Sequence, residues 1–468
     1  MQEVKTGGLE ATHVEALETL LGASRVHHSD VASTLDPGFS AANLAGGVVV
    51  TPQTVEQVQN VVRYCARHSI EMVPQGGRSG LSGGAESAPG QLIIDTSQLN
   101  KVLGVDRQSG TAVVESGVCL QNLQEAIEDS GFSVGVDLAA RGSATLGGMV
   151  STNAGGTEAF RHGMTRHRVL GIEAVLANGE LFDDLKQVAK ANEGLDIKQL
   201  LIGAEGTLGI ITKVALSLVP ASRHRVCAMV SCESASHALD LFRRCRVATE
   251  LDLLCAEIMW PDYARTTAKA LGLSPALEFS PGMQDLFVVL DVEPRSEHGS
   301  DALENCLMSS LESGEITSAV VAKNDRERER FWQIREESFL CDRDYPHGFW
   351  YDVSVPHAHL DDYAGRLFEQ IRDLRDDFKV FLFGHLGDGN LHLTITAGVP
   401  VPELESAVEG VVYGGLHQIG GSFSAEHGIG RHKRGALKSH TSASKVALMR
   451  AVKHAFDPDD LLNPGKIL

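Results

Sequence analysis

No run of apolar residues in the chain is long enough to cross a bilayer. Apolar stretches such as those around Val48–Val50 and Ala319–Ala322 fall far short of the ~20 residues that a spanning helix needs. No apolar core follows Met1-Gln2-Glu3-Val4-Lys5 as it would in a secretory signal, so a cytoplasmic location is expected. None of the eight cysteines (65, 119, 227, 232, 245, 255, 306 and 341) stands in a CxxC pair. That excludes the framework of a small disulfide-rich secreted domain, leaves cysteine-held metal clusters without support, and points to buried free thiols. Basic residues are short, 41 against 61 acidic, for a net charge of −20. Such a field repels a phosphate backbone, so no nucleic-acid partner is expected. An anionic substrate would need a local cationic trap. Both GxGxxG and GxxxxGK[ST] are missing, which disfavours a nicotinamide or ATP site. There is no low-complexity tract and no internal repeat. What is present is an ordinary globular composition, 43% hydrophobic and 22% charged, over 468 residues. One hydrophobic core rarely serves that length, so two or three domains are expected.

Local patterns divide the chain. Gly46–Thr51 reads as a strand. Thr54–His68 carries apolar residues at Val55, Val58, Val61, Val62 and Cys65, a helical spacing, with Thr51-Pro52 ahead of it as a start signal. Ile70–Val73, Gln91–Thr96 and Thr111–Glu115 read as strands. Glycine density peaks at 76–84, 142–156 and 203–209, all before Val219-Pro220-Ala221-Ser222, which reads as a boundary. Beyond it, Val226–Val230 and Leu286–Val292 are strand candidates, and Leu360–Arg375 and Glu403–Ile419 amphipathic helices. Histidines concentrate in this half. A cofactor platform over 1–220, a substrate domain over 221–455 and a C-terminal segment over 456–468 are the expected organisation.

The first glycine cluster reads VPQGGRSGLSGGA over 73–85. Its glycines let the backbone turn several N–H groups toward one anion, and Ser79 and Ser82 can add hydroxyl donors. GSATLGGMVSTNAGG at 142–156 repeats that chemistry, and GAEGTLGIIT at 203–212 ends as a strand would. A single such run is as readily a surface loop as a binding site. Three in one domain suit an extended ligand with a pyrophosphate. These segments resemble the FAD domain of the vanillyl-alcohol oxidase superfamily. The resemblance implies an α+β fold, with a two-subdomain FAD-binding domain and an α+β substrate domain built on an antiparallel sheet. It implies cofactor contacts from Pro74, Gly76, Gly77, Arg78, Ser79, Gly80, Leu81 and Ser82. It extends them to Ser143, Thr145, Gly148, Thr152, Asn153 and Gly155, and to Glu205, Gly209 and Ile211. Relatives with covalent FAD often carry histidine where this chain has Arg78, so a non-covalent flavin is expected.

The second half contains GHLGDGNLHL at 384–393 and SAEHGIGR at 424–431. The glycines between His385 and His392 suggest a tight turn that returns both imidazoles to one point. Glu426 could complete a two-histidine, one-carboxylate set with open positions, and His427 would be left as a base. Against this stands the commoner use of histidine as a surface or packed residue in a chain with nineteen of them. Asp388 is read as a turn residue bonded to its own backbone. These motifs resemble the C-terminal domain of the D-lactate and D-2-hydroxyglutarate dehydrogenase group. The resemblance implies His385, His392 and Glu426 as ligands of a divalent metal, zinc first and manganese as the alternative. It implies His427 as the catalytic base, Asn463 of the closing NPGKIL as a residue returning to the flavin, and Arg335 as the arginine that grips the substrate carboxylate. That arginine would be the required cationic trap.

Departures from the group's pattern bear on the substrate. Where hydroxyglutarate enzymes place a threonine, a lysine and an asparagine, this chain has Phe339, Trp350 and Thr394. Burying a second carboxylate there without a partner would cost several kcal/mol. The expectation is oxidation of small D-2-hydroxy monocarboxylic acids, such as lactate or acids with longer or aromatic tails, to 2-oxo acids. Phe339 and Trp350 could equally be core residues. The alternatives are a D-2-hydroxyglutarate dehydrogenase gripping the distal carboxylate through a residue such as Arg343, a metallohydrolase on the His/Glu set, and a non-catalytic flavin protein. The electron acceptor stays open among electron-transfer flavoprotein, quinone, cytochrome and oxygen, and a homodimer is compatible with the sequence without being fixed by it.

Overall fold

In the computed structural model, residues 8–32, 34–222, 224–273, 285–295 and 299–468 are described, and they form two compact units. The first comprises the chain up to Gly156, His162–Ala221 and Glu426–Leu468; the second comprises Thr157–Arg161 and Ser222–Ala425. The fold is α+β, and the break at Ala221/Ser222 falls in the segment read as a boundary. The sequence reading kept 426–455 with the substrate domain, whereas its contacts lie with the first unit. Lys453, on the helix Ala443–Phe456, explains this, since its Nζ donates to the carbonyls of Thr207 (3.0 Å) and Leu462 (2.8 Å).

In the first unit, a four-stranded sheet sets Val48–Val50 and Met72–Gln75 parallel to Leu92–Asp95, with Val26–His28 antiparallel at the edge. The helix Val55–His68 covers it, burying Val58, Val61, Val62 and Cys65, which are the positions its periodicity marks. Its start is set by Thr54, whose hydroxyl accepts from the Gln57 N–H at 3.2 Å, and not by Thr51-Pro52. A five-stranded antiparallel sheet follows, in the order Val102–Asp106, Thr111–Glu115, Ile210–Ser217, Val169–Val175, Leu181–Asp184. The second glycine cluster, given no secondary structure in the sequence reading, is in part a helix, Leu146–Thr152. Glycine is needed at 147, because a Cβ there would come within 2.5 Å of the Ser116 Cβ.

The second unit is built on a seven-stranded antiparallel sheet. Its order is Ser318–Val321, Val226–Cys232, Leu286–Pro294, Leu251–Met259, Lys379–His385, Asn390–Thr396, Phe349–Ser354. The helices Pro261–Ala270 and Asp325–Glu336 pack Tyr263, Ala264, Ala268, Phe331 and Ile334 against Met259, Phe381 and Phe383. The helix expected over 403–419 runs only from Glu405 to Tyr413, stopped by Gly414-Gly415. The N-cap of Val55–His68 makes a local prediction. Thr54→Ala should cost about 1 kcal/mol, seen as faster hydrogen exchange of the first-turn amides.

Candidate functional site

The first unit holds a cavity lined by Pro74–Ser82, Thr145, Gly147, Gly148, Ser151, Thr152, Gly155, Glu205, Gly209, Ile211, Glu426 and His427, with Leu138–Ala140 completing the wall. Among the described residues, no hydrogen bond is donated by the backbone N–H of residues 77–82. Six consecutive unused donors beside a cavity form a nest for an anion such as a pyrophosphate. The loop is held by close backbone approach, because a Cβ on Gly77 would lie 1.7 Å from the Ser143 carbonyl oxygen. Arg78 has φ +52°, and its guanidinium turns to Gln75 Oε1 at 2.6 Å and Asp95 at 2.5 Å. Only its backbone is left for a cofactor.

The second cluster, read as repeating the donor chemistry of the first, spends more of its donors internally. Its helix consumes its own leading donors: Leu146 N bonds Val118 O, Gly147 N bonds Ser116 O, and Gly148 N bonds Thr145 Oγ1. Thr152 Oγ1 donates to Gly148 O. Ser143 and Asn153 do not line the cavity; Ser143 Oγ donates to Ala140 O, and Asn153 caps the helix and accepts from Arg166 N. Glu205 lines the cavity, yet its carboxylate receives the N–H groups of Ile429 and Gly430, each at 2.7 Å. Burial pushes that carboxyl above the ordinary range, and the two backbone bonds oppose the shift. Asn463 reaches the same place, donating to Gly84 O (3.0 Å) and Glu205 O (2.7 Å), with its Oδ1 buried and unpaired. Glu426 Oε2 accepts from Gly156 N at 3.0 Å, and its Oε1 lies 3.7 Å from His427 Nε2. This set of unsatisfied donors and tight glycine contacts fits a dinucleotide cofactor.

In the second unit, register builds the site. Glu257 pairs with His385, Phe383 with His392, Asp352 with His392 and Trp350 with Thr394 across adjacent strands. Directly opposed residues share a sheet face, so all of these side chains stand on one side. The turn between the histidine strands is closed by Asp388, whose Oδ1 accepts from Asn390 N at 3.1 Å. It brings the two Nε2 atoms to 3.4 Å. Behind each ring is a fully buried carboxylate. Glu257 Oε1 is 2.8 Å from His385 Nδ1, and Asp352 Oδ1 is 3.6 Å from His392 Nδ1. The Glu257 bond places the His385 proton on Nδ1 and turns its Nε2 lone pair toward His392 Nε2, an arrangement that calls for a cation between them. Two nitrogens on a tetrahedral zinc at ~2.0–2.1 Å would stand about 3.4 Å apart. The donor set therefore fits a divalent metal.

Arg335 is 7% exposed, pairs with Glu257 Oε2 at 2.7 Å, and lies over the Phe383 ring at 4.7 Å. Its Nε is buried with no protein acceptor, which leaves one edge of the guanidinium for a carboxylate. Phe339 and Trp350 are not core. They are 56% and 45% exposed and meet edge to face at 6.2 Å. Thr394 is buried. Arg343 pairs with exposed Asp344 at 2.7 Å. Sequence reasoning missed Glu257, and missed Asp352 as an orienting group. The available signal was an acid inside each apolar strand, LLCAEIM and FWYDVS, since such residues are rarely buried unless paired. The expected metal ligands are divided between the units, His385 and His392 in the second and Glu426 in the first.

Comparison with known proteins agrees with these features. A family model described as FAD linked oxidases, C-terminal domain, matches residues 221–467, and one described as FAD binding domain matches residues 47–184. The fold is that of solved structures such as p-cresol methylhydroxylase with substrate bound (TM-score 0.75, 17% identity, 98% of each chain). Alkyldihydroxyacetonephosphate synthase is also similar (TM-score 0.73, 17% identity, 99% of this chain and 87% of that one). The molecule is an FAD-linked oxidoreductase. Its sequence is 36% identical to the mitochondrial D-2-hydroxyglutarate dehydrogenase of Bos taurus, over 90% of this chain and 76% of that one. It is 34% identical to the D-2-hydroxyglutarate dehydrogenase of Xanthomonas citri pv. viticola, over 90% and 88%. The chain belongs to the FAD-linked oxidase family, in the D-2-hydroxyacid dehydrogenase group. No helix among the described residues is long and apolar enough to cross a membrane.

Two substitutions check the site. Gly77→Ala should destabilise the protein by about 1–3 kcal/mol and strip its visible flavin absorbance on purification. Glu257→Leu leaves Arg335 buried without its partner and should cost about 3–5 kcal/mol. Denaturant unfolding followed by tryptophan fluorescence reads the second change directly, because Trp260, Trp332 and Trp350 all lie in the second unit.

Proposed function

We propose that this protein oxidises small D-2-hydroxy monocarboxylic acids to 2-oxo acids. Bound FAD would supply the electron sink that accepts a hydride from C2. A divalent metal, zinc first, would be held by His385, His392 and Glu426 and would acidify the substrate hydroxyl. Arg335 binds the carboxylate through its free guanidinium edge, the local trap that a chain of net charge −20 requires. His427 takes the hydroxyl proton. Glu257 and Asp352 hold the two imidazoles in the tautomer that ligation needs.

The observation that carries the reading is the pair of facing Nε2 atoms at 3.4 Å, each ring backed by a buried carboxylate. The choice of a monocarboxylate rests on the tail side of the same sheet face. Trp350 and Thr394 stand there, the guanidinium of Arg343 pairs with Asp344, and the Lys379 ammonium sits over the Tyr345 ring at 5.4 Å. A second reading, oxidation of D-2-hydroxyglutarate, is favoured by the names of the relatives at 33–36% identity. The flavin is proposed to be non-covalent, supported by an arginine at position 78 whose side chain is already engaged. Its electrons would pass to an electron-transfer flavoprotein, a quinone or a cytochrome.

Anaerobic mixing with D-lactate, D-mandelate, D-2-hydroxyglutarate and the L-isomers tests this reading by bleaching of the flavin. Bleaching is expected with the D-monocarboxylates, to vanish on chelation and to return with zinc or manganese. No bleaching by any hydroxy acid would remove the proposal, and a clear preference for D-2-hydroxyglutarate would replace it by the second reading. His427→Ala should lower kcat by about 10²–10⁴ while the protein stays yellow. Denaturation should release the flavin into the filtrate.

A further inference from the structure

On the face of the second unit's sheet that carries the histidine pair, the helix Phe339–Asp344 places an acid beside Trp350. Asp342 Oδ1 accepts the indole N–H of Trp350 at 2.8 Å. Gly348 is the pivot of this corner, since a Cβ there would meet Thr394 Cγ2 at 2.5 Å, Trp350 Nε1 at 3.4 Å and Asp342 Oδ1 at 3.6 Å. Asp342, Trp350 and Thr394 therefore converge on one point. Trp350 and Thr394 are cross-strand partners, two residues along their strands from Asp352 and His392, so they share a face with that pair. A substrate anchored at His385, His392 and Arg335 has its tail to place on this face, and the only ionisable group at the convergence is an acid.

We propose that Asp342 is a specificity-determining residue that rejects substrates with a second carboxylate and selects 2-hydroxy acids whose tails are uncharged or carry hydrogen-bond donors. The inference rests on the hydroxy-acid reading above and gives its substrate class a cause. Arg343, the next residue, does not cancel the field at this corner, because its guanidinium is paired with Asp344. A distal carboxylate would meet a like charge while the nearby cations are engaged elsewhere, Arg343 with Asp344 and Lys379 over the Tyr345 ring, which is a more effective barrier than the loss of an attractive contact. An alcohol or amine on the tail would find an acceptor oxygen already fixed by the indole. Burial holds the Asp342 carboxyl up at about 6, with the Trp350 bond opposing the shift, so the group is charged at neutral pH.

Asp342→Asn tests the idea without losing the latch, because the amide oxygen can still accept from Trp350. The measurement is the ratio of kcat/KM for D-2-hydroxyglutarate to that for D-2-hydroxybutyrate, taken on the flavin-loaded enzyme with the wild type alongside. The expected result is a rise of at least tenfold in that ratio, through a fall in KM for the dicarboxylate, with the monocarboxylate changed by less than threefold. Glu337→Gln, an exposed acid near the helix, removes the same charge and should leave the ratio as it was. An unchanged ratio in Asp342→Asn overturns the proposal, as does an equal rise in Glu337→Gln. If neither acid bleaches the flavin of the wild type, the hydroxy-acid reading itself has failed. If the wild type already prefers the dicarboxylate, Asp342 is no barrier and this inference falls while oxidation of hydroxy acids stands.

Discussion

The second unit is organised around one fully buried carboxylate. Glu257 stands at 0% exposure in a strand whose other buried residues are apolar, with one oxygen on His385 and the other on Arg335. A lone buried charge would be expelled or neutralised, so the carboxylate persists only because both partners are held against it. The consequence runs outward from there. Glu257 fixes which nitrogen of His385 faces the partner histidine, and it holds the arginine flat against Phe383, which is itself stacked on Tyr263 at 4.1 Å. The Tyr263 hydroxyl returns to the Arg335 carbonyl at 2.6 Å and closes the circuit on the helix that carries the arginine. The proposed metal-ligand position and the proposed substrate-anchoring position are thereby set by the same acid, and neither can shift without unpairing it.

A parallel economy governs the first unit. The segment 77–82 keeps its N–H donors unspent, and backbone geometry is the reason. Gly77 is pressed on Ser143, and Arg78 takes a left-handed conformation that its side chain stabilises by reaching Gln75 and Asp95. The second glycine cluster has comparable composition but bonds inward, so its contribution is a close-packed wall. Glu205 and Asn463, both with positive φ, then tie the 203–209 segment and the C-terminus to that wall. Two clusters that look alike in composition thus do opposite things with their donors.

Legibility in the sequence followed the range of the interaction. Val55–His68 and the turn at Asp388 were readable because periodicity and turn chemistry are local. The break near Ala221 was readable because glycine-rich and histidine-rich segments sort to either side of it. His385 and His392 could be paired on the page because only a turn separates them. Glu257 could not be assigned to His385, since that link depends on the register of strands 128 residues apart. Composition names Ser143 and Asn153 as polar groups of the second cluster, and only the helix at 146–152 shows their local partners. The return of 426–455 to the first unit also escaped the sequence, for it depends on Lys453 finding carbonyls at Thr207 and Leu462.

Identity of 33–36% to dehydrogenases of hydroxyglutarate is compatible with a different substrate when the divergence is concentrated at one end of the site. The groups proposed to act on the common part of a 2-hydroxy acid include His385 and Arg335, both buried and both held on the Glu257 carboxylate. Changing any one of them strands a charge. The tail end is built otherwise: Phe339 and Trp350 are solvent-exposed, and Asp342 is linked to the sheet by a single indole bond. Residues under so little packing constraint can change without unfolding anything, so this end can change specificity while the reacting end stays fixed. On the proposed reading, the chemistry and the choice of substrate are separable, because one rests on buried charge and the other does not.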